Sequence, residues 1–178
     1  MLAIHILPVG PGVPVGLLDD LAAALAHIFR ISCHVQDDRS LDPEFAFDER
    51  RGQYHATSIL HRIHEGEPDR EVRVIGVTRH DLFVPILSFV FGEAELGGRC
   101  ALVSIHRLDE RFYGLPARQE LLRDRLVKEA VHELGHTYGL RHCDDWRCVM
   151  TSSHAVDRLD IKGRDFCPAC RRAANGSL

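Results

Sequence analysis

The sequence has no apolar run long enough to cross a bilayer. Its longest, residues 82–92, is broken by Pro85 and Ser88 and reaches about half the length a membrane helix requires. It also lacks a basic excess: 22 Lys and Arg stand against 26 Asp and Glu, a formal net charge of −4. That balance argues against a general nucleic-acid binder and for a soluble chain. The opening stretch, MLAIHILPVGPGVPVG, carries no basic n-region and no small-residue cleavage site, so it does not read as a secretory signal. Without one, the six cysteines point to thiols in a reducing compartment, the cytoplasm, rather than to a disulfide framework. There is no internal repeat and no low-complexity linker. At 178 residues, 45% of them hydrophobic, the chain can bury one substantial core. A single domain over residues 1–178, acting as a monomer, is the expectation.

What is present begins with alternation. Residues 2–9 form an apolar, strand-like run, and residues 17–29 place Leu17, Leu18, Leu21, Ala24, Leu25 and Ile28 near helical period. Residues 31–35 read as a second strand and 41–52 as a charged connection. Residues 54–64 have Ile59, Leu60 and Ile63 at helical spacing, with Gly66 and Pro68 as stop signals. Residues 72–78, VRVIGVT, are β-branched and alternating, hence a strand. Residues 86–93 and 100–105 are two more strand candidates, the first pairing antiparallel at an edge through the Phe89/Phe91 segment. Strands alternating with helices predict an α/β architecture with a mostly parallel sheet. From Pro116 the pattern is helical, with Leu121, Leu122, Leu126, Ala130, Val131 and Leu134 as its apolar stripe. After Gly139 periodicity stops, and the tail is too irregular and short to fold on a core of its own.

The decisive segment is His132-Glu133-Leu134-Gly135-His136-Thr137-Tyr138-Gly139-Leu140-Arg141-His142. On a helix, His132 and His136 lie one turn apart on one face and can share a metal at the roughly 2.0–2.1 Å that Zn–N bonds require. Glu133 is offset around the helix, placed to hydrogen-bond a water rather than to ligate. Gly139 can adopt a left-handed conformation that ends the helix and lets His142 swing back beneath the ion. Three imidazoles leave a fourth position for water, as a catalytic zinc site does. With Glu133 as general base, peptide-bond hydrolysis is the reaction this arrangement suits best.

Cys143-x4-Cys148 and Cys167-Pro168-Ala169-Cys170 have the spacing of two halves of a structural zinc site. A closed cage of four thiolates would give the core-poor tail its order. Cys143 directly follows His142, so the second ion would fix the backbone that presents the third histidine. Cys33 and Cys100 stand in apolar segments and read as buried thiols. A disulfide pairing, four unrelated thiols, or a redox or metal-storage role for the Cys167–Cys170 pair are the competing readings.

These residues match the metzincin signature H-E-x-x-H-x-x-G-x-x-H. Their continuation through Cys143, Cys148, Met150, Cys167 and Cys170 resembles the archaemetzincin family. The resemblance implies a metzincin-like twisted mixed sheet with an active-site helix, an upper subdomain of about residues 1–139 and a small zinc-stapled lower subdomain of about 140–178. It implies a catalytic zinc on His132, His136 and His142, Glu133 as general base, Met150 in a Met-turn beneath the metal, and a structural zinc on the four cysteines. Two zinc ions per chain and a peptide or polypeptide substrate follow, with no nucleic acid or membrane partner. The alternative is a catalytically silent zinc protein that binds peptides in a regulatory role.

Other residues carry weaker signals. His61 and His64 share a helix face but have no third ligand nearby, and read as solvated surface. His106 and His154 are placed within reach of the cleft, and His154 is a candidate for steadying an oxyanion. Residues 87–93 are either a peptide-docking edge strand or an interior strand. Tyr138 points away from the metal, into the core.

Overall fold

The computed structural model describes residues 2–36, 38–67 and 69–174. Five strands make the main sheet: β1 (Ala3–Val9), β2 (Ser32–Val35), β5 (Val72–Thr78), β7 (Gly92–Ala94) and β8 (Cys100–Ser104). Their spatial order is β2-β1-β5-β8-β7. All neighbours run parallel except β7, which lies antiparallel against β8 at the edge. The central parallel strands β1, β5 and β8 are largely apolar on both sides because both faces are covered. Ile4, Ile6, Ile75, Val77, Ala101 and Val103 face one core, while Leu7, Val9, Val72, Val74, Cys100 and Leu102 face a second. The two sets alternate by parity along each strand, as a pleated backbone demands.

Over the first face lie helices α1 (Val15–Phe29) and α3 (Gln119–Thr137), and over the second lies α2 (Ala56–Gly66). A small second sheet, β3 (Phe47–Asp48), β4 (Gln53–His55) and β6 (Leu82–Phe83), flanks α2. The expected mixed α/β sheet is therefore present, with several corrections of detail. The connection at 41–52 holds a 3₁₀ turn, Glu44–Ala46, and strand β3. The second helix begins at Ala56, because residues 53–55 pair with β3 and β6. Pro68, one of its predicted stop signals, lies outside the described residues.

The predicted strand at 86–93 is mostly a loop, and only Gly92–Ala94 joins the sheet. Beyond one antiparallel bridge between Val90 and Leu82, side chains hold this loop. Arg51 Nη2 donates to the carbonyls of Leu87 and Ser88, each at 3.0 Å, and Gln53 Nε2 donates to Ser88 O at 3.0 Å. Gln53 also donates to Asp81, whose carboxylate takes two hydrogen bonds from Arg107 at 2.7 Å.

The tail carries two short helices, α4 (Val156–Ile161) and α5 (Pro168–Ala173), and shares the core of the rest of the chain. Val149, Met150, Leu159 and Phe166 are buried in the same cluster as α1 and α3, each such side chain contributing about 1.5–3 kcal/mol. Arg125, only 2% exposed, donates to both oxygens of Asp160 at 2.7 Å and to Leu108 O at 2.8 Å. The tail is thus anchored by packing and by a part-buried ion pair. No helix among the described residues is long and apolar enough to cross a membrane.

Candidate metal centres and the cleft

Helix α3 runs through the body of the protein, buried along its second half. Its histidines do what their spacing requires: His132 Nε2 and His136 Nε2 lie 3.2 Å apart. Two nitrogens bound at 2.0–2.1 Å to one tetrahedral ion sit about 3.3 Å apart, so the pair is already at ligand separation. The opposite ring nitrogens are committed elsewhere. His132 Nδ1 donates to Val149 O at 2.8 Å and His136 Nδ1 to Leu140 O at 2.7 Å. A carbonyl only accepts, so each Nδ1 carries the hydrogen and each Nε2 presents a lone pair.

Gly139 takes φ +82° just past the helix, the left-handed turn expected of it. His142 returns, its ring 5.3 Å from that of His132 and 5.1 Å from that of His136. One ring nitrogen of each of the three lies within 4.8 Å of the others. Burial holds all three imidazoles below the usual histidine range, which keeps them neutral and able to ligate near neutrality.

The cysteines form the second centre. Cys143 Sγ lies 3.8 Å from Cys167 Sγ, and Cys148 Sγ lies 3.7 Å from Cys170 Sγ. A disulfide needs about 2.05 Å, whereas thiolates bound at 2.3 Å in a tetrahedron are about 3.8 Å apart. All four sulfurs lie within 4.8 Å of one another. The donor set, soft and fourfold, fits zinc and leaves no open position. The backbone N–H of Cys170 brings the Cys167 thiol down to about 7, while burial raises that of Cys148.

Between the centres runs a shared stretch of backbone. Met150, fully buried, lies against Gly135 of α3, with Phe166 beside it. Its carbonyl accepts from Cys143 N–H at 3.0 Å.

The histidines open onto a cleft of about 580 Å³. Its floor holds His132, Glu133, His136 and His142; its wall is the 87–91 loop and β7; Ser152 to His154 form its rim. Glu133 is 5% exposed, and burial, then the neighbouring Glu129 carboxylate, push it well above the usual carboxylate range. Glu129 is raised likewise by burial, opposed by Lys162, whose Nζ lies 3.8 Å from its Oε2. Gly92 faces Glu133 so closely that a Cβ there would meet Glu133 Cγ at 2.7 Å and Leu102 O at 2.6 Å.

Glu129, Lys162 and Gly92 were not singled out from sequence. Charged residues at helical spacing read as a solvated face, and nothing local shows that the tail folds over them. The remaining histidines divide. His154 does line the cleft, whereas His106 turns away, its ring 5.1 Å from Phe112 and its Nδ1 on Arg79 O. Tyr138 packs away from the histidines, stacked on Phe29 at 5.6 Å and covered by Arg73 at 3.8 Å. His61 is exposed, but His64 has Glu95 and Cys100 beside it, correcting the view that no third ligand is near.

The fold is shared with solved peptidases. The chain is similar to a zinc-dependent peptidase from Methanocorpusculum labreanum, at 34% identity and TM-score 0.88, covering 97% of this chain and 100% of that one. It is also similar to an archaemetzincin from Archaeoglobus fulgidus solved with malonate, at 37% identity and TM-score 0.83 over 97% and 99% of the two chains. The class is that of a zinc metallopeptidase. An archaemetzincin from Thermococcus kodakarensis is 40% identical over 177 residues, 97% of this chain and 95% of its own. The model of Peptidase family M54 matches residues 39–175, and the chain belongs to that family, the archaemetzincins.

Proposed function

We propose that His132, His136 and His142 hold the catalytic zinc of this metallopeptidase, that Glu133 is its general base, and that Cys143, Cys148, Cys167 and Cys170 hold a second, structural zinc. The observation that carries the reading is the convergence of three lone pairs, two of them 3.2 Å apart, beside one buried carboxylate. A zinc ion at the histidines supplies a Lewis acid for the scissile carbonyl and lowers the pKa of a water to about 7.

The chain's own groups do the rest. Glu133 accepts the proton of the attacking water and passes it to the leaving amine nitrogen. Its raised proton affinity suits both halves of that transfer. Lys162, close to Glu129, offsets the charge of the two carboxylates and keeps Glu133 ionisable in a buried setting. Val149 and Leu140 carbonyls hold two imidazoles in the ligating tautomer.

The exposed edge of β7 offers unpaired backbone groups to an extended peptide, which fits strand addition, and favours the edge reading of residues 87–93 over an interior one. His154, which lines the cleft, fits the role of steadying the oxyanion. Met150, packed under α3, fits the role of a Met-turn methionine. We read residues 1–139 and 140–178 as upper and lower subdomains sharing one core. None of the six cysteines is in a disulfide, which fits a reducing compartment, the cytoplasm; we read the protein as a monomer acting on peptides or polypeptide ends rather than on nucleic acid.

The test is a peptide-library digest comparing wild type with Glu133→Ala, with zinc content measured on both. Retained zinc and turnover reduced by about 10²–10⁴-fold is the expected result. Equal turnover, or none from either protein, would overturn the peptidase reading, and none from either would favour the silent peptide-binding alternative.

A further inference from the structure

On the far side of the edge strand, α2 and the β7–β8 turn bring together three side chains that the peptidase chemistry does not use. His64 sits in the last turn of α2, Glu95 just past β7, and Cys100 at the start of β8. One ring nitrogen, one carboxylate oxygen and one sulfur from these residues lie within 4.8 Å of one another. His64 Nδ1 and Glu95 Oε1 are 2.7 Å apart. The other oxygen, Oε2, accepts the N–H groups of Arg99 and Cys100 at 3.2 and 3.3 Å. Those two bonds fix the carboxylate across the turn and leave Oε1 aimed at the imidazole.

We propose that His64, Glu95 and Cys100 form a third metal site, separate from the cleft and from the four-cysteine centre, that takes zinc or a similarly borderline-soft divalent cation. The donor set decides the class. Calcium and magnesium call for oxygen ligands throughout, whereas one nitrogen, one oxygen and one sulfur is a zinc-type set, completed by water at a fourth position. Bonds of 2.0–2.3 Å would place these donors about 3.3–3.6 Å apart. The His64–Glu95 contact would open slightly around the ion while the sulfur draws in.

Access is graded. Cys100 is fully buried, whereas the His64 side chain is 49% exposed and that of Glu95 23%, so the ion enters from the histidine side. The bond formed is metal–sulfur and the bond broken is S–H, with the proton released to solvent. Burial holds the Cys100 thiol up to about 12, so the cation must displace a tightly held proton. With one thiolate against four, this site holds a borderline-soft cation more weakly than the four-cysteine cage and fills as free metal rises. Its position gives the filling a consequence. Gly97 N–H, in the same turn, donates to His136 O at 2.9 Å, so an ion here clamps α2 to the edge strand and to the end of the active-site helix.

The test adds cobalt(II) to the protein carrying its resident zinc and follows thiolate-to-cobalt charge-transfer absorption. A band that saturates at one added equivalent in wild type, vanishes in Cys100→Ser and is lost or weakened in His64→Ala is expected. In parallel, added zinc should raise the unfolding temperature of wild type and not of His64→Ala, a surface change that leaves the core intact. Equal bands in all three proteins, as exchange into the four-cysteine cage would give, or an unfolding temperature equally responsive in wild type and His64→Ala, overturns the proposal.

Discussion

The imidazole of His132 donates from Nδ1 to the carbonyl of Val149, 2.8 Å away, and Val149 stands between Cys148 and Met150. One three-residue segment therefore contributes a sulfur to the cysteine centre, the orienting carbonyl to a histidine ligand, and the thioether beneath the active-site helix. Cys143, next to His142, makes a second bridge between the two centres, and its N–H closes onto Met150 O at 3.0 Å.

From this adjacency, Cys148→Ser should release the metal of the cysteine centre and weaken zinc binding at the histidines by about 10–100-fold, the usual effect of losing an orienting partner. Competition with a chromogenic chelator measures it. Undiminished affinity at the histidines would show the two centres to be independent.

Gly135→Ala tests the packing of the active-site helix on Met150. Replacing a helical glycine gains about 0.8–1 kcal/mol of helix propensity. The added methyl would intrude on the Met150 sulfur and come within 3.0 Å of Phe166 Cε1, and such overpacking costs about 1–3 kcal/mol. The second effect is the larger, so urea denaturation should show a net loss of stability. A more stable variant would mean that Met150 yields freely.

Gly92→Ala separates positioning of the proposed general base, Glu133, from folding. The new Cβ would lie 2.9 Å from Glu133 Oε1 and push that carboxylate from its place. Since a shift of about 1 Å can cost on the order of 10²-fold, turnover should fall by about that factor. Zinc content should stay at the wild-type level; an active variant would place the reacting carboxylate elsewhere.

Asp81 gives a pH dependence. Burial acts to raise its pKa, but hydrogen bonds from Arg107 and Gln53 overcome this and hold it below the usual carboxylate value. A carboxylate depressed in the folded state contributes stability above its unfolded pKa, about 3.9, and loses it as pH falls through the folded pKa. Asp81→Asn should therefore be destabilising by about 1.5–3 kcal/mol near neutrality, and the gap from wild type should close as pH falls below about 4. A gap independent of pH would mean that the charge is not what matters. The same change loosens the Gln53–Ser88 contact under the cleft wall, so KM should rise more than kcat falls.

How much was legible follows from how local each signal is. The histidine pair needed only the 3.6-residue repeat of one helix, and Gly139 needed only its own backbone freedom. The Val72–Thr78 strand announced itself by β-branched alternation. Strands of two residues, such as Leu82–Phe83, carry no periodicity at all and exist because a neighbour pairs with them. The apolar run at 86–91 imitated a strand, yet its backbone is held by Arg51 and Gln53 side chains from far along the chain.

The sequence by itself determined which histidines and which cysteines group into the two candidate centres, and the parallel α/β character, since spacing and alternation are properties of a few consecutive residues. Tertiary structure alone decided that Glu129 and Lys162 lie buried beside Glu133, that Gly92 leaves room for that carboxylate, and that His64, Glu95 and Cys100 meet. Those outcomes depend on which surfaces the fold presses together, and burial, unlike periodicity, is set by contacts between segments with no memory of one another along the chain.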